Sequence, residues 1–226
     1  MTNFLRKHFL LTTVLSSAIA APAMADTTLS SDSTSALATS SAGNITISDD
    51  VTLEVSGTTP ITVNSNNSVT IGEDAVVQAD NASGRTGILL QDGTNFSIAN
   101  DGSILVTEDF VPDDDDGNSV PDGAIAKASG RYGMHVLSGD TTSGTIENSG
   151  TITVEGLNSY GIAIDSAFIG DIDNSGTITV TGDYSTGLIT QSVDGDLRLG
   201  GTITAVGEGA AGVAVGSAAP KGGAPL

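Results

Sequence analysis

The heptapeptide Asn-Ser-Gly-Thr-Ile-Thr-Val occurs at residues 148–154 and again at 174–180, 26 residues apart. In its longer frame the chain divides into units of 26, 25 and 26 residues, at 146–171, 172–196 and 197–222. Upstream, IANDGSILV (98–106), VTIGEDAVVQA (69–79) and ITISDDVTLEV (45–55) open further units, giving about six in all. Each clear unit holds three short runs in which aliphatic and polar residues alternate, parted by Gly, Asn, Ser or Asp. Alternation of period two specifies a strand, and the intervening residues specify turns. Three strands and three turns in ~25 residues make one turn of a solenoid. The reading is all-β: a right-handed parallel β-helix of about six turns, three short strands to each.

Stacking requires equivalent positions to keep their character. Ile98, Ile146, Ile172 and Leu197 form a first aliphatic column, and Ile104, Ile152, Ile178 and Ile203 a second. Ile88, Met134, Ile162, Leu188 and Val213 form a third, each directly after Gly87, Gly133, Gly161, Gly187 and Gly212. Parallel strands ~4.8 Å apart place like on like, so these columns face inward and the Thr residues between them face water. Fixing one residue's backbone costs about 1–2 kcal/mol, and burying one aliphatic side chain contributes about 1.5–3 kcal/mol. With about six inward aliphatics among ~25 residues, one unit cannot fold alone; neighbours must complete its core. Asn100, Asn148 and Asn174 make a further column. It fits either an inward ladder of stacked amides or a turn position chosen for left-handed backbone.

The first residues, MTNFLRKHFLLTTVLSSAIAAPAMAD, combine Arg6 and Lys7, an apolar run and an Ala23-Met24-Ala25 cleavage motif. They read as a secretory signal peptide over residues 1–25, too short in its apolar run to span a bilayer. Residues 26–43 are Ser/Thr-rich without periodicity and are expected to form a flexible leader. Residues 44–217 hold the repeats, and 218–226 an irregular tail. The insertion at 107–128, TEDFVPDDDDGNSVPDGAIAKA, interrupts one unit, and insertions in solenoids sit on the outside.

After residue 25, five basic residues against 27 acidic ones leave a net charge of −22. Such a surface repels phosphate backbones and anionic lipids, which argues against nucleic-acid and polybasic membrane binding. Cysteine and Trp are absent. With no Cys, one remaining histidine and no H-E-x-x-H, thiol and zinc chemistry are without residues to perform them.

Three candidates for chemistry stand out. Asp114-x-Asp116-Gly117-x-x-x-x-Asp122 resembles extracellular D-x-D-G calcium loops, although it fails the EF-hand frame because position one would be Pro112. A solvated, self-repelling loop explains the same run. His135 aligns with outward-facing positions and reads as a solvated surface residue, without a G-x-S-x-G frame to supply a nucleophile. Asp171, Asp173 and Asp196 fall near one edge, as in carboxylate pairs that cleave polysaccharides. The aromatic and basic neighbours of such grooves are scarce here, which favours structural surface charge.

A signal peptide followed by N-S-G-T-I-T-V units, with Ser159, Gly161, Ile162 and Ile164 and then Ser185 and Gly187 in the second half of each, resembles the passenger domain of Gram-negative autotransporters. The likeness covers about residues 45–217. It implies Sec export, an outer-membrane β-barrel in the full-length protein, and a passenger that is secreted or shown at the cell surface. The chain departs from that pattern at GSAAPKGGAPL, where no amphipathic barrel strands follow. It is expected to be the front part of a longer protein, a truncated product or a free-standing solenoid. The expected function is a structural, adhesin-like passenger without catalytic, cofactor-binding or metal-binding residues, with an unidentified extracellular surface or glycan as target. A carbohydrate-active β-helix enzyme and a calcium-stabilised scaffold are the alternatives.

Overall fold

The computed structural model describes residues 25–118 and 121–216. The proposed signal peptide, apart from its last residue, and the proposed tail lie outside the described residues. Short strands wind through seven turns of a right-handed parallel β-helix. The second strands of turns two to seven form a six-stranded parallel sheet: Thr52–Val55, Val76–Ala79, Ser103–Val106, Thr151–Glu155, Thr177–Thr181 and Thr202–Val206. The first and third faces merge into one 13-stranded sheet, because Tyr160–Asn174 runs for 15 residues through the corner between them. The register of that strand shifts between Ile164 and Ala167, the irregularity that bends it.

The columns read from the repeat are the observed pairings. Ile98, Ile146, Ile172 and Leu197 are partners in succession, as are Ile104, Ile152, Ile178 and Ile203. Ile88, Met134, Ile162 and Leu188 are fully buried. Phe96 and Phe168 fill one corner of this core with ring centroids 6.0 Å apart. The preceding glycines are dictated by the close approach of the next turn. A Cβ on Gly161 would lie 2.4 Å from the Gly187 carbonyl oxygen and 2.4 Å from Ile178 Cγ2.

The asparagine column is an inward ladder. Asn100, Asn148 and Asn174 are buried within extended strands. The Asn100 amide donates to Asn148 Oδ1 (2.7 Å), and the Asn148 amide to Asn174 Oδ1 (2.6 Å). Ile71 precedes Asn100 in register and carries no amide, which leaves Asn100 Oδ1 without a donor.

Two expectations need correction. Residues 26–43 are not a flexible leader. Thr27–Leu29 pairs with Ile45–Ile47, Leu37–Ala38 pairs with Ile61–Thr62, and a four-residue helix, Thr39–Ala42, follows. These residues form the first turn, so there are seven turns rather than six. Only Leu29 and Leu37 carry the aliphatic pattern there, and the edge of the next turn supplies the order that composition lacks. The Asp32 carboxylate reinforces it by accepting the Thr52 N–H at 2.9 Å.

Candidate functional site

The acidic insertion leaves the solenoid after the second strand of turn four and rejoins it at Ser129, which bridges to Leu157. Its two ends are held by one carboxylate. Glu108 accepts the backbone N–H groups of Lys127 and Ala128, each at 2.7 Å, while its own N–H donates to Glu155 Oε2 at 2.9 Å. Ala126 is fully buried and Ala128 nearly so, and the Lys127 ammonium lies 4.2 Å from the centre of the Phe110 ring.

Beneath this closure lies Arg131, fully buried. Its guanidinium donates to the carbonyls of Asp80 (2.9 Å), Thr107 (2.6 Å) and Glu155 (2.9 Å), which belong to turns three, four and five. One side chain thus bolts three successive turns together where the strand path is interrupted. Burial lowers its pKa from the ordinary arginine value, and the nearby charges of Glu108, Glu155 and Asp80 oppose that shift. Its Nε has no hydrogen-bond partner. The neighbouring Asp80 carboxylate is held down to about 2, first by its hydrogen bond from Arg85.

Further out, the loop organises itself. Asp122 donates its N–H to the Asp113 carbonyl (2.9 Å), and its carboxylate accepts the N–H groups of Asp115 (2.6 Å) and Asp116 (3.3 Å). Asn118 donates to both Asp114 and Asp116. Asp114, Asp116 and Asp122, the residues of the calcium-like motif, each offer an oxygen within 4.8 Å of the others, and all three are exposed. Calcium takes six to eight oxygens. Here backbone and amide N–H groups engage these carboxylates.

His135 does not stand in solvent as expected. Its side chain is only 13% exposed, and Nε2 lies 2.9 Å from Asp165 Oδ2. The imidazole stacks on Tyr132 at 3.9 Å with 5° between planes, and Tyr132 stacks on Tyr160 at 5.2 Å. Tyr160, Ala163 and Ile189 form a small apolar cluster on the outer face, with Tyr132 and Ala214 against it. Burial, with the Tyr132 and Asp165 charges, pushes the Tyr160 phenol up to about 12. Burial raises Tyr132 as well, followed by the effect of Asp165. The outward alignment of His135 was right. Its partner was missed because Asp165 sits beside the bulge, off the simple columns.

Basic neighbours were expected to be scarce around Asp171, Asp173 and Asp196, and one is present. Arg198 pairs with Asp173 in register, and its guanidinium contacts Asp171 (3.8 Å) and Asp196. Asp171 Oδ1 also accepts the Asp196 N–H at 2.8 Å. The group is exposed and serves the edge of the sheet. A groove of about 700 Å³ runs past Asp49, Glu73 and Asp101. It exists because the first corner holds four residues in turns two and three and only two from turn four onward. Its acids also bond to the corners: Asp49 accepts the Glu73 N–H (3.1 Å), and Asp101 accepts the Ser149 hydroxyl (2.5 Å).

Among the described residues, no helix is long and apolar enough to cross a membrane. The family model described as the BigA third pectate lyase-like domain matches residues 11–195, more than four-fifths of the chain and the whole of turns one to six. No curated protein and no solved structure matches it. With that match laid over a parallel β-helix, the chain belongs to the BigA third pectate lyase-like domain family, a β-helix type of domain found in bacterial surface proteins.

Proposed function

We propose that this chain is a non-catalytic passenger segment of an autotransporter-like protein, exported behind its N-terminal signal and displayed or released at the outer membrane. The observation that carries this reading is the insertion held shut by Glu108 over the buried Arg131. A rigid rod bolted at that point holds out one exposed acidic loop, which suits recognition of an extracellular surface. Loops on rigid scaffolds are where binding function concentrates. The groups that resemble catalytic sets have structural work instead. His135 and Asp165 engage each other beneath a tyrosine stack, and the Asp171–Arg198–Asp196 group ties a sheet edge.

The test is expression in a Gram-negative host followed by fractionation and N-terminal sequencing. Export with a mature chain beginning at Asp26 supports the reading, and an uncleaved cytoplasmic product contradicts it. A second reading, a carbohydrate-active enzyme, is favoured by the family's pectate lyase-like description and by Arg198 between two aspartates. Reducing-sugar release from acidic polysaccharides that is lost in Asp171→Asn would establish it. Silence across the panel supports the non-catalytic passenger.

A further inference from the structure

One corner position recurs through turns three to seven as Gly84, Gly130, Asn158, Tyr184 and Gly209. The N–H of each of the first four donates to the carbonyl just before the next, at 2.8–2.9 Å. All five lie in the left-handed region, with φ between 48° and 74°. Glycine enters that region freely and Asn tolerates it, whereas a bulky side chain there is strained. The other described non-glycine residues with positive φ are Asp50, Asp74 and Asn158, so Tyr184 is the one large side chain held this way.

Core packing does not explain the strain. Tyr184 is 45% exposed, and of the described Phe and Tyr residues it alone is exposed. Its ring is nonetheless seated. A Cβ on Gly209 would lie 2.7 Å from Tyr184 Cδ1 and 2.9 Å from Cε1, so the ring rests over the backbone of the next turn. Polar groups share the corner. Asp183 Oδ1 accepts the Glu208 N–H at 2.8 Å. Among the described residues, Asp183 Oδ2, the Glu208 carboxylate and the Asn158 amide have no hydrogen-bond partner.

Residues held in sparsely populated backbone regions cluster where ligands are gripped. We infer that Tyr184 is the platform of a binding site for an uncharged pyranose sugar, with Asp183, Glu208 and Asn158 as its polar rim. A pyranose turns one face of C–H groups to the negative face of an aromatic ring. Its hydroxyls donate to the two carboxylates and exchange hydrogen bonds with the amide. Asp183 and Glu208 repel uronic acids, which separates this ligand from acidic polysaccharides. A few convergent polar groups beside an aromatic surface are the usual makeup of a small-ligand site. No residue of the insertion at 107–128 takes part, so the inference stands apart from the role given to that loop.

The experiment is saturation-transfer NMR on the full chain with methyl β-glucoside, methyl β-galactoside and N-acetylglucosamine, and with galacturonic acid as the contrast. At least one uncharged sugar is expected to receive saturation on the carbon-bound protons of one ring face, and galacturonic acid none. Tyr184→Asn, which installs the residue of turn five, should weaken binding by about tenfold or more, as loss of one aromatic contact does. Its melting temperature should hold or rise, because Asn relieves the strained corner. Tyr184→Phe keeps the ring and should keep the binding. Silence from all three uncharged sugars overturns the inference, as does equal transfer to galacturonic acid. Binding that survives Tyr184→Asn overturns it too. So does a lower melting temperature in that variant, which would make the ring a brace for Gly209 instead of a platform.

Discussion

Asn148 donates its side-chain amide to Asn174 and receives one from Asn100, so three buried polar groups form a single hydrogen-bonded line along the axis. Replacing the middle member by Ala leaves Asn174 Oδ1 without its donor in a dry interior and removes one acceptor of Asn100. The expected loss is roughly 2–4 kcal/mol, read as a fall in the urea midpoint. Replacing all three by Leu removes every polar group at once and is expected to cost less than the single change, although each side chain is altered.

Arg131→Met should be among the most damaging substitutions. It strips the donors from the Asp80, Thr107 and Glu155 carbonyls while keeping much of the volume. A loss of about 3–5 kcal/mol is expected from breaking a buried charged network. Arg131→Lys should rescue only part of it, because an ammonium lacks the planar fork. Deleting residues 112–122 should cost far less, since the Glu108 clamp lies outside them.

Gly161→Ala and Gly200→Ala separate steric need from composition. At Gly161 the new methyl meets a carbonyl and an isoleucine methyl, each at 2.4 Å, and the turn must shift by an overpacking cost of about 1–3 kcal/mol. At Gly200 it meets nothing within 4 Å, and the melting temperature should hold.

Asp80 and Tyr160 each make stability depend on pH. Asp80 has a folded pKa of about 2, below its ordinary 3.8, so its contribution is complete above 3.8 and is lost as pH falls toward 2. Asp80→Asn should flatten that acid limb. Tyr160 behaves in the opposite sense. Its phenol is raised to about 12 from 10, so its contribution is complete below pH 10 and is lost as pH rises through 12. Tyr160→Phe should remove that alkaline loss, as followed by denaturation midpoints at successive pH values.

Much of this fold was legible because a solenoid writes its contacts as a sequence period. The partners of Ile152 and Ile178 lie one repeat away, and the paired columns need only counting. The first turn was hidden because it has few aliphatics of its own and borrows order from Ile45–Ile47. His135 and Asp165 were hidden because a register shift intervenes. The Glu108 clamp and the Arg131 bolt escaped for a related reason. They join residues across an insertion, where the period is broken and spacing carries no information. Arg131 in a turn, two residues before a column glycine, offered no sign that it would be wholly buried.

Axial stacking in register is the claim on which the rest stands, and spin-label distances test it most directly in a chain without cysteine. Glu54, Gln78, Leu105, Thr153, Thr179 and Thr204 are successive partners along the outside of one sheet. Labelled cysteine pairs joining position 54 to 153, 179 and 204 should give backbone separations of about 14, 19 and 24 Å, rising by ~4.8 Å per turn. Distances that fail to grow in that order would contradict the stacked solenoid.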